Sequence, residues 1–148
     1  MSAAAARATV PLYLEGTKFW QELTQECREK IERINCAIAA QGLSRENLVE
    51  LMPGDDLCMR KRELPSTRVE AALGLFSWGP IIQCKISGAR DGDHHFLTHE
   101  FEMPIARDGD GATVAIFDEG RSFSPREVAC YLTQSFRRCF PSVTLPCG

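Results

Sequence analysis

Arg68-Val69-Glu70-Ala71-Ala72-Leu73-Gly74-Leu75-Phe76-Ser77-Trp78-Gly79-Pro80-Ile81-Ile82-Gln83-Cys84-Lys85-Ile86-Ser87, residues 68–87, decides how this chain folds. Two runs with a period of two flank a Gly79-Pro80 turn. In the first, Val69, Ala71, Leu73 and Leu75 share one side, and Ala72, Gly74, Phe76 and Trp78 share the other. In the second, Ile82, Cys84 and Ile86 alternate with Ile81, Gln83 and Lys85. Successive strand side chains point to opposite faces of a sheet, so this alternation marks strands. Hydrocarbon stands on both sides of these runs, and a sheet apolar on both faces needs cover on both.

Working outward, residues 56–119 divide into five strands separated by Gly, Asp and Pro punctuation. They are Leu57 to Arg62, Arg68 to Trp78, Ile81 to Ser87, His94 to Met103 and Ala112 to Phe117. Arg107-Asp108-Gly109-Asp110-Gly111 is a hairpin turn. Links this short make neighbours antiparallel, because a parallel crossover needs a dozen residues or more. The fold class expected is therefore α+β: a five-stranded antiparallel meander sheet packed with a long N-terminal helix and a C-terminal helix, as one domain over residues 1–148.

The first helix is expected over residues 17–41, where Phe19, Trp20, Leu23, Cys27, Ile31, Ile34 and Ile38 recur at spacings of three and four. Charged Glu22, Glu26, Arg28, Glu29, Lys30 and Arg33 fill the remainder. Thr17 is placed to cap its start and Gly42 to end it. About 25 residues make a rod of ~37 Å, longer than a small sheet is wide, so part of it overhangs or meets another subunit. Residues 44–52 read as a short helix begun by Ser44, carrying Leu48 and Leu51, and stopped at Pro53-Gly54. The last helix, residues 124–140, opens on Ser124-Pro125-Arg126-Glu127: a cap, a first-turn proline and a capping-box glutamate. Residues 1–10 read as a flexible tail.

Composition narrows the function classes. The 148 residues are 44% hydrophobic and 25% charged, the balance of an ordinary folded domain, with a formal net charge of −3. Binding to nucleic acid through its phosphates wants a basic excess, so no nucleic acid is expected as partner. Met59-Arg60-Lys61-Arg62 is the one dense basic patch and reads as a solvated strand. No apolar run approaches the ~20 residues that span a bilayer, so no membrane is expected. Seven dispersed cysteines and no cationic-then-apolar leader point to reduced thiols and a cytoplasmic location.

The alternation assigns Val69, Leu73, Leu75, Ile82, Ile86, Leu97, Phe101, Met103, Val114 and Ile116 to a helix-covered core face. The reverse face is left with Phe76, Trp78, Ile81, Phe96 and Phe117, beside Ala72, Gly74 and Ala115. Exposing all five large side chains would leave several hundred Å² of apolar surface, about the largest patch usual on a monomer. Three arrangements cover it: helices on opposite faces, helices on one face with a homodimer through the other, or a groove for an apolar ligand or peptide. Phe76, Trp78, Ile81, Phe96 and Phe117 are accordingly the candidate interface.

Chemistry-bearing residues are sparse. His94, His95 and His99 fall on one strand, and His95 and His99 stand about 13 Å apart along it, too far to share a metal unaided. His99 and Cys84 on the neighbouring strand form a candidate base and nucleophile if the register brings them together. Glu100 and Glu102 share the side of Phe96, where acid–base work needs burial or coupling. Asp91-Gly92-Asp93 and Asp108-Gly109-Asp110-Gly111 resemble pieces of calcium loops, but the second lacks a distal bidentate glutamate at the proper offset and neither has flanking helices. Gly120-Arg121-Ser122-Phe123 precedes a helix start, a generic anion site that Arg121 and Arg126 complement. The candidate ligand-binding set is thus Cys84, His99, Glu100, Arg121 and Arg126, with no catalytic set, metal or cofactor assigned. The expected function is a non-enzymatic domain acting by self-association, as a homodimer, and by binding a protein partner or an apolar or anionic small ligand. Its rival is an enzyme or small-molecule sensor with a pocket between the sheet and the C-terminal helix.

Overall fold

The computed structural model describes residues 11–54, 56–63, 65–89 and 96–137. The expected tail and His94 and His95 lie outside them. Helix α1 (Leu12–Ala40) is followed by a 3-10 turn (Arg45–Asn47) and then by seven strands: β1 (Glu50–Leu51), β2 (Leu57–Lys61), β3 (Ser66–Phe76), β4 (Gly79–Ala89), β5 (Phe96–Arg107), β6 (Thr113–Phe117) and β7 (Arg121–Phe123). Helix α2 (Pro125–Arg137) ends the described chain. The strands form one antiparallel meander in the order β1 to β7.

The α+β class and the antiparallel meander stand, but the sheet has seven strands rather than five. Both additions are edge strands of two and three residues, too short for alternation to register. β1 and the 3-10 turn replace the short helix expected over 44–52. There Asn35 of α1 overrides local propensity. Its Nδ2 donates to Val49 O at 2.9 Å while Val49 N donates to its Oδ1 at 2.8 Å, which holds the backbone extended beside the helix.

α1 begins five residues before the expected start. Pro11 stands at the N-cap, and Thr17 lies inside the helix, its Oγ1 donating back to Tyr13 O at 3.0 Å. The buried stripe runs from Gly16 through Phe19, Leu23, Cys27, Ile31 and Ile34 to Ile38, so nearly the whole rod lies on the sheet. Its first turn does not, and Tyr13 and Leu14 are exposed. At Gly16 α1 sits close on the strands: a Cβ there would stand 2.6 Å from Pro80 Cβ of β4. The capping box of α2 is formed, with Glu127 N donating to Ser124 Oγ at 3.2 Å and Ser124 N donating to Glu127 Oε1 at 3.1 Å.

Both helices lie on the same sheet face. Leu23, Cys27 and Ile31 of α1 and Val128, Leu132 and Phe136 of α2 join one buried cluster with Met59, Val69, Ile82, Met103, Ile105 and Ala115. The register puts these strand residues on a single face, through Met59↔Val69, Ile82↔Met103 and Ile105↔Ala115. Each fully buried side chain of this size contributes roughly 1.5–3 kcal/mol. Lys61 is buried at the edge of this core, and its Nζ donates to Glu63 O at 2.6 Å and Pro65 O at 2.9 Å, closing the β2–β3 connection.

β5 passes the sheet from one partner to the next. Its residues 96–104 pair with β4, and Ile105, Ala106 and Arg107 pair with β6, with Pro104 at the junction. The register Ala106↔Val114 then turns Val114 and, by alternation, Ile116 to the helix-free face, and Ala115 and Phe117 to the core face. That corrects the expected placement of Val114, Ile116 and Phe117. A second correction concerns the β3–β4 turn. Phe76 pairs with Gly79, so Ser77 and Trp78 are the loop, and Gly79 (φ 133°) and Pro80 belong to β4. A third concerns the thiols: Cys27, Cys36, Cys58 and Cys84 are free, whereas Cys130 of α2 is disulfide-bonded.

Candidate functional site

No described helix covers the other sheet face, the helix-free face of the described residues, and its make-up follows from register. Across its middle run Cys58, Glu70, Lys85 and Glu100, with Arg60, Arg68, Gln83 and Glu102 beside them. These are paired, mostly across neighbouring strands. Arg60 Nε and Arg62 Nε share the Glu50 carboxylate at 2.9 and 3.3 Å, and Arg68 Nε meets Glu70 Oε1 at 2.9 Å. Lys85 Nζ stands a looser 3.8 Å from Glu100 Oε1, and Gln83 Nε2 donates to Glu102 Oε1 at 3.4 Å. The hydrogen bond from Arg60 holds the Glu50 carboxyl below its ordinary range, with Arg62 adding to it. The bond to Glu70, with a further pull from Cys58, raises Arg68. Between these charges lies a shallow depression of about 610 Å³ lined in part by Cys58, Ala72 and Gln83, where short side chains leave the sheet uncovered.

One end of the same face is apolar. The Phe76 ring folds back over Gly74, where an added Cβ would come within 2.3 Å of it, and stacks on Trp78 with centroids 4.8 Å apart and planes 7° from parallel. Trp78 is 74% exposed, and Leu75, on the helix-covered side of β3, is 56% exposed at the same end. Because Pro80 both pairs with Leu75 and receives Gly16, the first turn of α1, carrying exposed Tyr13 and Leu14, ends at this end of the sheet.

Of the five expected interface residues, Phe76 and Trp78 are therefore exposed and stacked at the β3–β4 tip. Ile81 is on the helix-free face but buried, outside the main core cluster. Phe96 opens β5, and its side chain is not among those described. Phe117 is turned inward against Phe101 at 4.8 Å and Tyr131 at 5.3 Å.

The five candidate ligand-binding residues do not converge. Cys84 and His99 share the core face on neighbouring strands but are offset, since Cys84 pairs with Phe101 and Ile86 with His99. The His99 ring stacks on Phe101 at 4.8 Å. Burial pushes the Cys84 thiol up to about 12, so it stays protonated at neutral pH, the reverse of what a nucleophile needs. Glu100 follows His99 on the strand and points to the opposite face. Arg121 of β7 is engaged by Asp118 at 2.6 Å and lies 5.5 Å over the Phe123 ring. Arg126 stands at the α2 start, in a hollow whose other wall is α1 with Glu22 and Glu26. Acidic walls oppose an anion there. The Asp108 turn is filled by its own backbone, with Oδ1 accepting from Asp110 N and Ala112 N at 2.9 Å each. Among the described residues no group of His, Cys, Asp or Glu is arranged to hold a metal ion.

One residue escaped the reading of the sequence. Lys30, counted there among the exposed charges of α1, is 2% exposed, and its Nζ has no hydrogen-bond partner. The signal is its position, three residues after Cys27 and four before Ile34 on the buried stripe. It acts on Cys27, whose thiol burial pushes up to about 12 against the opposing pull of Lys30.

No known protein family, curated protein or solved structure matches this chain. Among the described residues no helix is long and apolar enough to cross a membrane.

Proposed function

We propose that this protein is a non-enzymatic association domain that works by self-association and protein-partner binding through the helix-free sheet face. The observation that carries the reading is the Phe76–Trp78 stack, a parallel aromatic pair at the sheet's end with Trp78 74% exposed. Large exposed aromatics are what interfaces use as anchors, because they bury much area for few rotatable bonds. The two helices spend their apolar stripes on one face, so the other is left for a partner. The four free thiols support the cytoplasmic setting read from sequence and the Cys130 disulfide opposes it. Alkylating free thiols before lysis and mapping the blocked cysteines distinguishes them.

Sedimentation equilibrium tests the association reading. A dimer is expected, falling to a monomer in Trp78→Asp with an unchanged far-UV spectrum. A wild-type monomer across the micromolar range, together with no partner-induced change in Trp78 fluorescence, would overturn it.

A further inference from the structure

The helix-free face matches itself. Its central register row runs Cys58, Glu70, Lys85, Glu100 from β2 to β5, each facing its neighbour across a strand pair. A two-fold axis that runs along the strands between β3 and β4, in the plane between two facing sheets, carries β3 of one copy onto β4 of the other. It leaves every register row at its own height. Glu70 then stands opposite Lys85 of the second copy, twice. The same operation keeps the apolar ends together and brings Trp78, which sits in the loop joining these two strands, onto its own symmetry mate. Moving the axis onto β3 would set Glu70 against Glu70, and moving it onto β4 would set Lys85 against Lys85, both repulsive. Area is of the right order: β2 has five residues, β3 and β4 eleven each and β5 twelve, so at ~3.4 Å per residue and ~4.8 Å between strands these four cover roughly 600 Å². That approaches the ~800 Å² per partner of a standard interface.

Resting on the association reading above, we propose that two copies of this chain pack helix-free face to helix-free face about an axis between β3 and β4, with Glu70 and Lys85 pairing reciprocally and the Trp78 tips in contact. Lys85 is open to this, being held by Glu100 only at 3.8 Å and half exposed. An isologous contact makes every pair occur twice, so a single substitution is felt at two places.

The test is a charge-swap mixing experiment in low salt. Glu70→Lys alone places Lys against Lys, and Lys85→Glu alone places Glu against Glu, so each variant is expected to dissociate at concentrations about tenfold higher than wild type or more. Mixed in equal amounts, the two form a heterodimer, because each then offers two charges opposite in sign to those it meets. Glu70 and Lys85 are also cross-strand neighbours within one chain, and only the mixture separates the effect between chains from that within one. Thermal unfolding of each variant confirms that it is folded. A wild-type dimer whose variants stay dimeric alone, or stay monomeric when mixed, overturns this arrangement and leaves self-association standing. A wild-type monomer removes self-association itself, and this arrangement with it.

Discussion

Gly16→Ala is the substitution on which helix propensity and packing disagree in sign. Within a helix, alanine is favoured over glycine by about 1 kcal/mol, and Gly16 lies inside α1, one turn from its start. On propensity alone the variant is stabilised. In the fold, the new Cβ would stand 2.6 Å from Pro80 Cβ and 2.8 Å from its Cγ, against an optimum of about 3.5–4.0 Å between carbons. The proline ring is rigid and is held in β4 opposite Leu75, so α1 has to lift by roughly 1 Å. Overpacking of this kind costs about 1–3 kcal/mol, which leaves a net destabilisation of up to about 2 kcal/mol. For a chain of this length that is a fall in Tm of up to several degrees. Urea unfolding read by far-UV dichroism measures it. Pro80→Gly makes the control, since without the ring the same Gly16→Ala change becomes stabilising by about 1 kcal/mol. A Gly16→Ala variant at least as stable as wild type, or one whose sign does not reverse on Pro80→Gly, refutes the seating of α1 on β4.

Lys30→Met keeps the buried stem and removes an ammonium with no hydrogen-bond partner, so it is expected to stabilise the fold by about 1–4 kcal/mol; a lower urea midpoint contradicts this. Stability is also expected to fall on the alkaline side. Cys27 and Cys84 have ordinary values of 9.0 and are pushed up to about 12 by burial. Above about pH 9 the unfolded chain gives up these protons and the folded one does not, so each thiol removes up to ~1.4 kcal/mol of stability per pH unit as pH rises toward 12. Below pH 9 both states hold the proton and neither thiol contributes a slope. Cys27→Ala with Cys84→Ala flattens this limb, and a limb of unchanged steepness in that variant tells against it.

How much of this was legible in the sequence depended on run length. β3 and β4, eleven residues each, announce themselves by alternation, and Ser124 with Glu127 marks the α2 start. β1 and β7 do not, because two or three residues carry no period. The face of β6 was not legible either, for a different reason. Which way Phe117 points depends on whether Arg107 pairs with Thr113 or with a neighbour, and a slip of one residue exchanges the faces. The link through residues 108–112 is what sets that register, with Asp108 Oδ1 accepting from both Asp110 and Ala112. Lys30 was misplaced because side-chain type outweighed position: a lysine in a buried stripe reads as an exposed charge until the partner helix is known. Trp78 was assigned to a face because Gly79-Pro80 is so strong a turn signal, whereas Gly79 φ of 133° serves the first residue of β4 instead.

The margins of the sheet set where an assembly of this chain could grow. β1 offers two residues and β7 three, too little exposed ladder for another strand to zip onto. β5 differs: its residues 96–104 pair with β4 on one side, while among the described strands β6 takes up only Ile105, Ala106 and Arg107 on the other. A pair joined through the broad side, as proposed above, would use up that surface at once, and any growth beyond it would have to start from this open stretch of β5.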